Sequence, residues 1–121
     1  MPLNRILLYV HDVEKIVHFY EAHFGFLSQR DPEDRIVELA DPKGGASLMI
    51  HPAGKAQKAG QVLVKLVFDI ADVPAFCAKA AKAGLKFGAI HKADGYVFAN
   101  AKDPAGNPIS VSSRAFRKGA L

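Results

Sequence analysis

The strongest constraint on this sequence is that it runs through one pattern twice. LLYVHDVEKIVHFYEAHFGF, residues 7–26, reads as strand, helix, glycine exit and a second strand. KLVFDIADVPAFCAKAAKAGLKF, residues 65–87, reads the same way. Val10-x-Asp12-Val13 matches Ile70-x-Asp72-Val73, and Gly25-Phe26 matches Gly84-Leu85. Asp41-Pro42-Lys43-Gly44 matches Asp103-Pro104-Ala105-Gly106. The offset is about 60 residues throughout, as from Asp12 to Asp72. A chain built this way folds as two copies of one supersecondary unit.

Each copy has a physical reading. Asp12 and Asp72 are helix N-caps, because a carboxylate accepts from free first-turn amides and favours the positive helix end. Pro74 sits in a first turn, where a missing N–H does no harm. Helix one presents Val13, Ile16, Val17, Tyr20 and Phe24 on one face. Helix two presents Val73, Phe76, Cys77 and Ala80. Gly25 and Gly84 supply left-handed exits. Three strands follow each helix, near 26–30, 35–40 and 46–51, then near 86–91, 95–101 and 107–113. The predicted class is α+β. Two tandem βαβββ modules each form a curved mixed sheet, with a helix covering one outer face. Module one spans about 3–52, a Gly/Ala/Lys-rich linker 53–61 and module two 62–113, with a basic tail at 114–121. All of this belongs to a single domain, 1–121.

Strand alternation sorts side chains by face. Ile6, Leu8 and Val10 share the helix face of the first strand, leaving Arg5, Leu7 and Tyr9 on the other. Val64, Leu66, Phe68 and Ile70 share the helix face of the equivalent strand, leaving Lys65, Val67 and Asp69. Pro108, Ser110 and Ser112 alternate with Ile109 and Val111. In the counterpart strand Leu48 and Ile50 share a face. The face away from the helices therefore collects Arg5, Tyr9, Lys65, Asp69, Ser110 and Ser112. Alternation leaves open whether that face is wetted by solvent or holds a ligand.

Composition narrows the function classes. Lys plus Arg number 16 against 12 Asp plus Glu, a net charge of +4. The excess suits an anionic small molecule or nucleic acid, or a surface that is simply solvated. The only basic cluster is Arg114, Arg117 and Lys118, read as a frayed tail, and no nucleic-acid-binding signature accompanies it. No apolar run approaches the roughly 18 residues of a membrane span, and the start has no signal-peptide pattern. The single cysteine, Cys77, forms no internal disulfide and fits a cytoplasmic setting. The five histidines, His11, His18, His23, His51 and His91, show no metal-ligand spacing.

The ordered set Val10-His11-Asp12, Phe19-Tyr20, Phe24-Gly25-Phe26, LMIHP at 48–52 and Asp103-Pro104-Ala105-Gly106-Asn107 resembles the vicinal oxygen chelate superfamily. That superfamily includes glyoxalase I, extradiol dioxygenases and bleomycin-resistance proteins. The resemblance covers roughly residues 3–113. It implies paired βαβββ modules and a site in a cup at a homodimer interface. It also places four metal-ligand positions, at Arg5, at Leu48 (or Ile50 after a one-step shift), at Lys65 and at Ser110. Arg and Lys offer only donors and positive charge, so no metal and no other cofactor is expected.

The expected function is metal-independent binding of an anionic or aromatic small molecule, with no nucleic-acid or membrane partner. Candidate ligand-binding residues are Arg5, Tyr9, Leu48, Ile50, Lys65, Asp69, Tyr96, Phe98, Ser110 and Ser112. Three alternatives stay open. One is a metal-free enzyme using a desolvated Lys65 as base or nucleophile. The second is a dimeric interaction or regulatory module with Arg5 paired to Asp69. The third is a glyoxalase-like metalloenzyme with unusual ligands.

Overall fold

The computed structural model describes residues 3–61 and 64–118. The predicted opening of module two at 62–63 and the end of the tail, 119–121, lie outside the described residues. The chain divides at the Ala59–Gly60 boundary into two compact units, module one and module two.

Module one runs β1 (Arg5–Val10), α1 (Val13–Phe24), β2 (Leu27–Gln29), β3 (Val37–Ala40) and β4 (Ser47–Pro52). Module two runs β5 (Leu66–Asp69), α2 (Val73–Lys82), β6 (His91–Ala93), β7 (Tyr96–Lys102) and β8 (Pro108–Ser112). A short 3-10 turn, Arg114–Phe116, follows β8. The fold is thus α+β, with two tandem βαβββ units, as the repeat predicts. Each unit has its own four-stranded mixed sheet, ordered β1-β4-β3-β2 and β5-β8-β7-β6. In each, the first strand runs parallel to the last, and the remaining pairs are antiparallel. Helix α1 or α2 makes the crossover that parallel pairing requires.

Both helices start as their capping residues dictate. The Lys15 amide donates to Asp12 Oδ1 at 3.1 Å, and the Ala75 amide to Asp72 Oδ1 at 3.1 Å. Helix α1 ends at Gly25 in the left-handed region, φ 73°, whereas α2 is capped by Ala83 and turns at the next residue, Gly84, φ 94°. Gly25 N–H donates to the Glu21 carbonyl, and Leu85 N–H closes back on Ala80. The residue after each glycine, Phe26 or Leu85, is buried and pins the exit.

The central strands carry the core. Leu48 and Ile50 on β4, and Ile109 and Val111 on β8, are 3% exposed or less. Each such side chain contributes about 1.5–3 kcal/mol by leaving water. Helix α1 buries Ile16, Val17, Phe19 and Tyr20, while Val13 and Phe24 are only half-buried. Phe19 was not on the predicted stripe. It packs edge-on to Tyr20, with ring centroids 5.0 Å apart. Helix α2 buries Val73 and Ala80, leaving Phe76 and Cys77 half-buried.

Two expectations need correction. The strand predicted at 86–91 is absent, and β6 begins at His91. In that stretch the Gly88 amide docks on the Asn100 carbonyl, at 2.9 Å. The basic segment 114–118 is also not a frayed tail over its described length. Its 3-10 turn is closed by the Phe116 amide on the Ser113 carbonyl and held to Tyr96 by arginine side chains. Among the described residues no helix is long and apolar enough to cross a membrane.

Candidate functional site

Directly paired residues in a sheet share a face, so the register fixes what each sheet presents away from its helix. In module one Arg5, Leu7 and Tyr9 pair with Ser47, Met49 and His51. Met49 pairs in turn with Glu38, and Gln29 with Glu38. The open face is therefore Arg5, Leu7, Tyr9, Ser47, Met49, His51, Glu38 and Gln29. In module two Val67 and Asp69 pair with Ser110 and Ser112. Those serines pair with Asn100 and Phe98, and Phe98 pairs with His91. Lys65 and Tyr96 fall on the same side by alternation.

This register overturns two predicted site residues. Leu48 and Ile50 pair with Ile6 and Leu8, on the face under α1. They belong to the core. The residue equivalent to Ser110 is Met49, since Leu48 faces Ile6 as Ile109 faces Leu66. The cause is one extra residue in module one. Six residues, Pro42–Ser47, separate Asp41 from Leu48, whereas five, Pro104–Pro108, separate Asp103 from Ile109. That insertion shifts the repeat by one step, enough to exchange the two faces. The signal was present in Ser47, Met49 and His51, which alternate with Leu48 and Ile50 as Ser110 and Ser112 alternate with Ile109 and Val111.

The same polar tie occurs in both modules. Arg5 Nε donates to Glu38 Oε1 at 3.0 Å, from β1 across β4 to β3. Lys65 Nζ donates to Asn100 Oδ1 at 3.0 Å, reaching the equivalent strand β7. Glu38 and Asn100 stand at the same place in the repeat, one opposite Met49 and the other opposite Ser110. Neither partner was among the predicted residues. The Val37-Glu38-Leu39 alternation would have revealed Glu38. Within module one the partner of Arg5 is Glu38. The Arg5 charge is balanced by Glu38, whereas Lys65 meets the neutral amide of Asn100 and pairs with no carboxylate among the described residues. Lys65 is exposed in module two.

The serines are partly engaged. Ser110 and Ser112 are 3% and 5% exposed. Ser110 Oγ donates to the Ala99 carbonyl at 3.0 Å. Ser112 Oγ accepts from the Arg114 amide at 3.1 Å. Asp69 is exposed at the end of β5.

Aromatic side chains occupy the rest. Tyr9 is 54% exposed and its ring lies 5.2 Å from that of His51. His51 Nδ1 is 2.7 Å from the Pro52 carbonyl, so that nitrogen carries the proton. In module two Phe98 sits between His91 at 5.1 Å and Tyr96 at 6.2 Å, each ring tilted by only 31–34° from its neighbour. The Arg114 guanidinium lies 5.1 Å from the Tyr96 ring centre and that of Arg117 5.6 Å. Arg114 also donates to the Tyr96 hydroxyl at 3.1 Å.

Elsewhere, burial pushes the Cys77 thiol up, in keeping with a side chain packed against its module. Burial, then the nearby His18, lowers the proton affinity of His23.

A sequence model described as the Glyoxalase/Bleomycin resistance protein/Dioxygenase superfamily matches residues 3–111. The chain belongs to this superfamily. Solved structures repeat the fold. TnmS3, an antibiotic-binding protein from Streptomyces sp. CB03234, aligns with a TM-score of 0.76 and 23% identity, over 92% of this chain and 93% of that one. A glyoxalase/bleomycin resistance protein from the same Streptomyces gives 0.70 at 25% identity, over 89% and 97%. Lactoylglutathione lyase from Agrobacterium tumefaciens gives 0.71 at 18%, over 92% of each chain. Identities this low establish the shared fold. A comparison with curated proteins gave no match.

The resemblance implies a metal, and the donor set can be tested against one. With the register corrected, the four positions are Arg5, Met49, Lys65 and Ser110. Two are cations that only donate, one is a thioether and one a hydroxyl already bonded to a carbonyl. Divalent zinc, nickel or magnesium needs imidazole, carboxylate or thiolate lone pairs. These residues do not fit such an ion.

Proposed function

We propose that this superfamily member is a metal-independent small-molecule-binding protein of the bleomycin-resistance kind. The observation that carries the reading is the donor set Arg5, Met49, Lys65 and Ser110, which retains the superfamily frame but suits organic groups and anions, not a divalent cation. The ligand is aromatic or anionic. Tyr9, Tyr96 and Phe98 offer ring faces for stacking, and Lys65 offers a cation balanced by no carboxylate among the described residues. Asp69, exposed at the end of β5, lies on the same face of module two as Ser110 and Ser112 and sets polar orientation. A homodimer completes the cup, as the family resemblance implies.

A thermal-shift screen of aromatic acids, aromatic amines and aliphatic acids, run in excess EDTA, tests this. Saturable stabilisation by one class, weakened by Lys65→Gln or Phe98→Ala, supports it. Stabilisation that appears only when a divalent ion is supplied overturns it. Light scattering during size-exclusion chromatography checks the dimer.

A further inference from the structure

We infer that module two recognises a planar aromatic acid, with the acid at Arg114 and Arg117 and the ring on Phe98 and His91. This rests on the small-molecule-binding reading and names the ligand class and the residues that select it.

Two guanidinium groups converge on one ring, 5.1 and 5.6 Å from the centre of Tyr96. Two positive charges beside one ring make a local patch that attracts an anion. The described ion pairs are Arg5 with Glu38 and Arg30 with Glu14, both in module one. No described carboxylate pairs with Arg114 or Arg117. Cation–π attraction to Tyr96 holds both arginines in place without neutralising them. Arg114 uses one of its five donors on the Tyr96 hydroxyl. The remaining donors match the two oxygens of a carboxylate or sulfonate.

The ring site lies next to this anion site. Tyr96 and Phe98 are neighbours on the open face of β7, 6.2 Å apart. His91 continues the row on β6, 5.1 Å from Phe98. Phe98 is half-buried and His91 exposed, so the row is open at its β6 end. A fused-ring acid laid on Phe98 and His91 places its acid group toward Tyr96. Module one has no equivalent, since its Tyr9 and His51 lie beside a charge-balanced pair.

The test compares naphthalene-2-carboxylate with naphthalene-2-carboxamide by calorimetry in EDTA at low salt. The wild type binds the acid about tenfold more tightly than the amide, and the gap narrows as salt is raised. In R114Q/R117Q the gap falls to about twofold or less while amide binding persists. Tyr96→Phe, which keeps the ring but frees Arg114, narrows it partway. K79Q/K82Q removes the same charge from the outer helix α2 and leaves the gap unchanged. Equal binding of acid and amide by the wild type overturns the inference while the small-molecule reading stands. So does a gap that survives in R114Q/R117Q. Failure to bind either probe or any compound of the wider screen overturns both.

Discussion

Modules one and two share a backbone plan and differ in what they do with it. Both cap the helix with aspartate, leave it through a left-handed glycine and tie the first strand to the third across the last. In module one the tie joins Arg5 to Glu38 and is charge-neutral. In module two it joins Lys65 to Asn100 and keeps a positive charge. Module two adds Arg114 and Arg117 around Tyr96, and module one has no counterpart. The frame is duplicated, but the chemistry of the open faces has diverged, one balanced and the other cationic. Divergence at exposed positions costs little stability, whereas divergence at the buried β4 and β8 positions would not be tolerated.

The turns before the last strands separate the modules most strongly. Asp103 is 4% exposed and accepts from the Ala105 and Asn107 amides and from the Asn107 side chain, at 2.8–3.0 Å. Asp41 accepts one amide, from Lys43, at 2.8 Å, and is partly open to water. Where module two has Asn107, module one has Gly45, at φ 90°. Asp103→Ala therefore leaves buried donors unpaired and lowers stability by about 3 kcal/mol, against about 1 kcal/mol for Asp41→Ala. Urea unfolding of the two variants measures the gap. Equal losses would mean that the turns are interchangeable.

Exchanging the chemistry of the ties comes next in size. Asn100→Asp gives module two an ion pair like that of module one, and affinity for an aromatic acid falls about threefold as the Lys65 charge is balanced. Glu38→Gln leaves the Arg5 charge unbalanced and changes stability by less than about 1 kcal/mol, because the pair is exposed. Calorimetry and urea melts read these two effects. A large stability loss in Glu38→Gln would make the tie structural and weaken the comparison.

The smallest effect concerns the helices. His23 lies on α1, 4.9 Å from Phe19, while α2 carries no histidine. Burial, followed by the His18 charge, lowers the His23 pKa in the fold. The unfolded chain then binds the proton more readily. Stability from this site is full above the unfolded pKa of about 6.5 and is lost as pH falls through the folded value. His23→Gln flattens that part of the profile between pH 8 and 5, read as the urea midpoint against pH. An unchanged slope would place the titration elsewhere.

The repeat made most of the fold legible. Asp12, Asp72, Gly25 and Gly84 act locally, so their roles can be read without knowing the tertiary structure. The absent strand at 86–91 is harder, because Lys86, Phe87 and Ile90 alternate plausibly but the Gly88 amide makes the one backbone bond found there among the described residues. The open face was legible in module two, where Lys65, Asp69, Tyr96, Phe98, Ser110 and Ser112 fall on one side. It was misread at Leu48 and Ile50, since one extra residue in a turn exchanges faces with no change in composition. Glu38, Asn100, Arg114 and Arg117 were missed because cross-strand partners and a turn folding back on a ring depend on register.

The most direct test is a calorimetric titration of EDTA-dialysed protein with zinc, nickel and magnesium in turn, and then with naphthalene-2-carboxylate. The account predicts no stoichiometric ion binding, followed by saturable binding of the acid that a prior ion does not change. Uptake of one ion per chain, with acid binding appearing only afterwards, would contradict it.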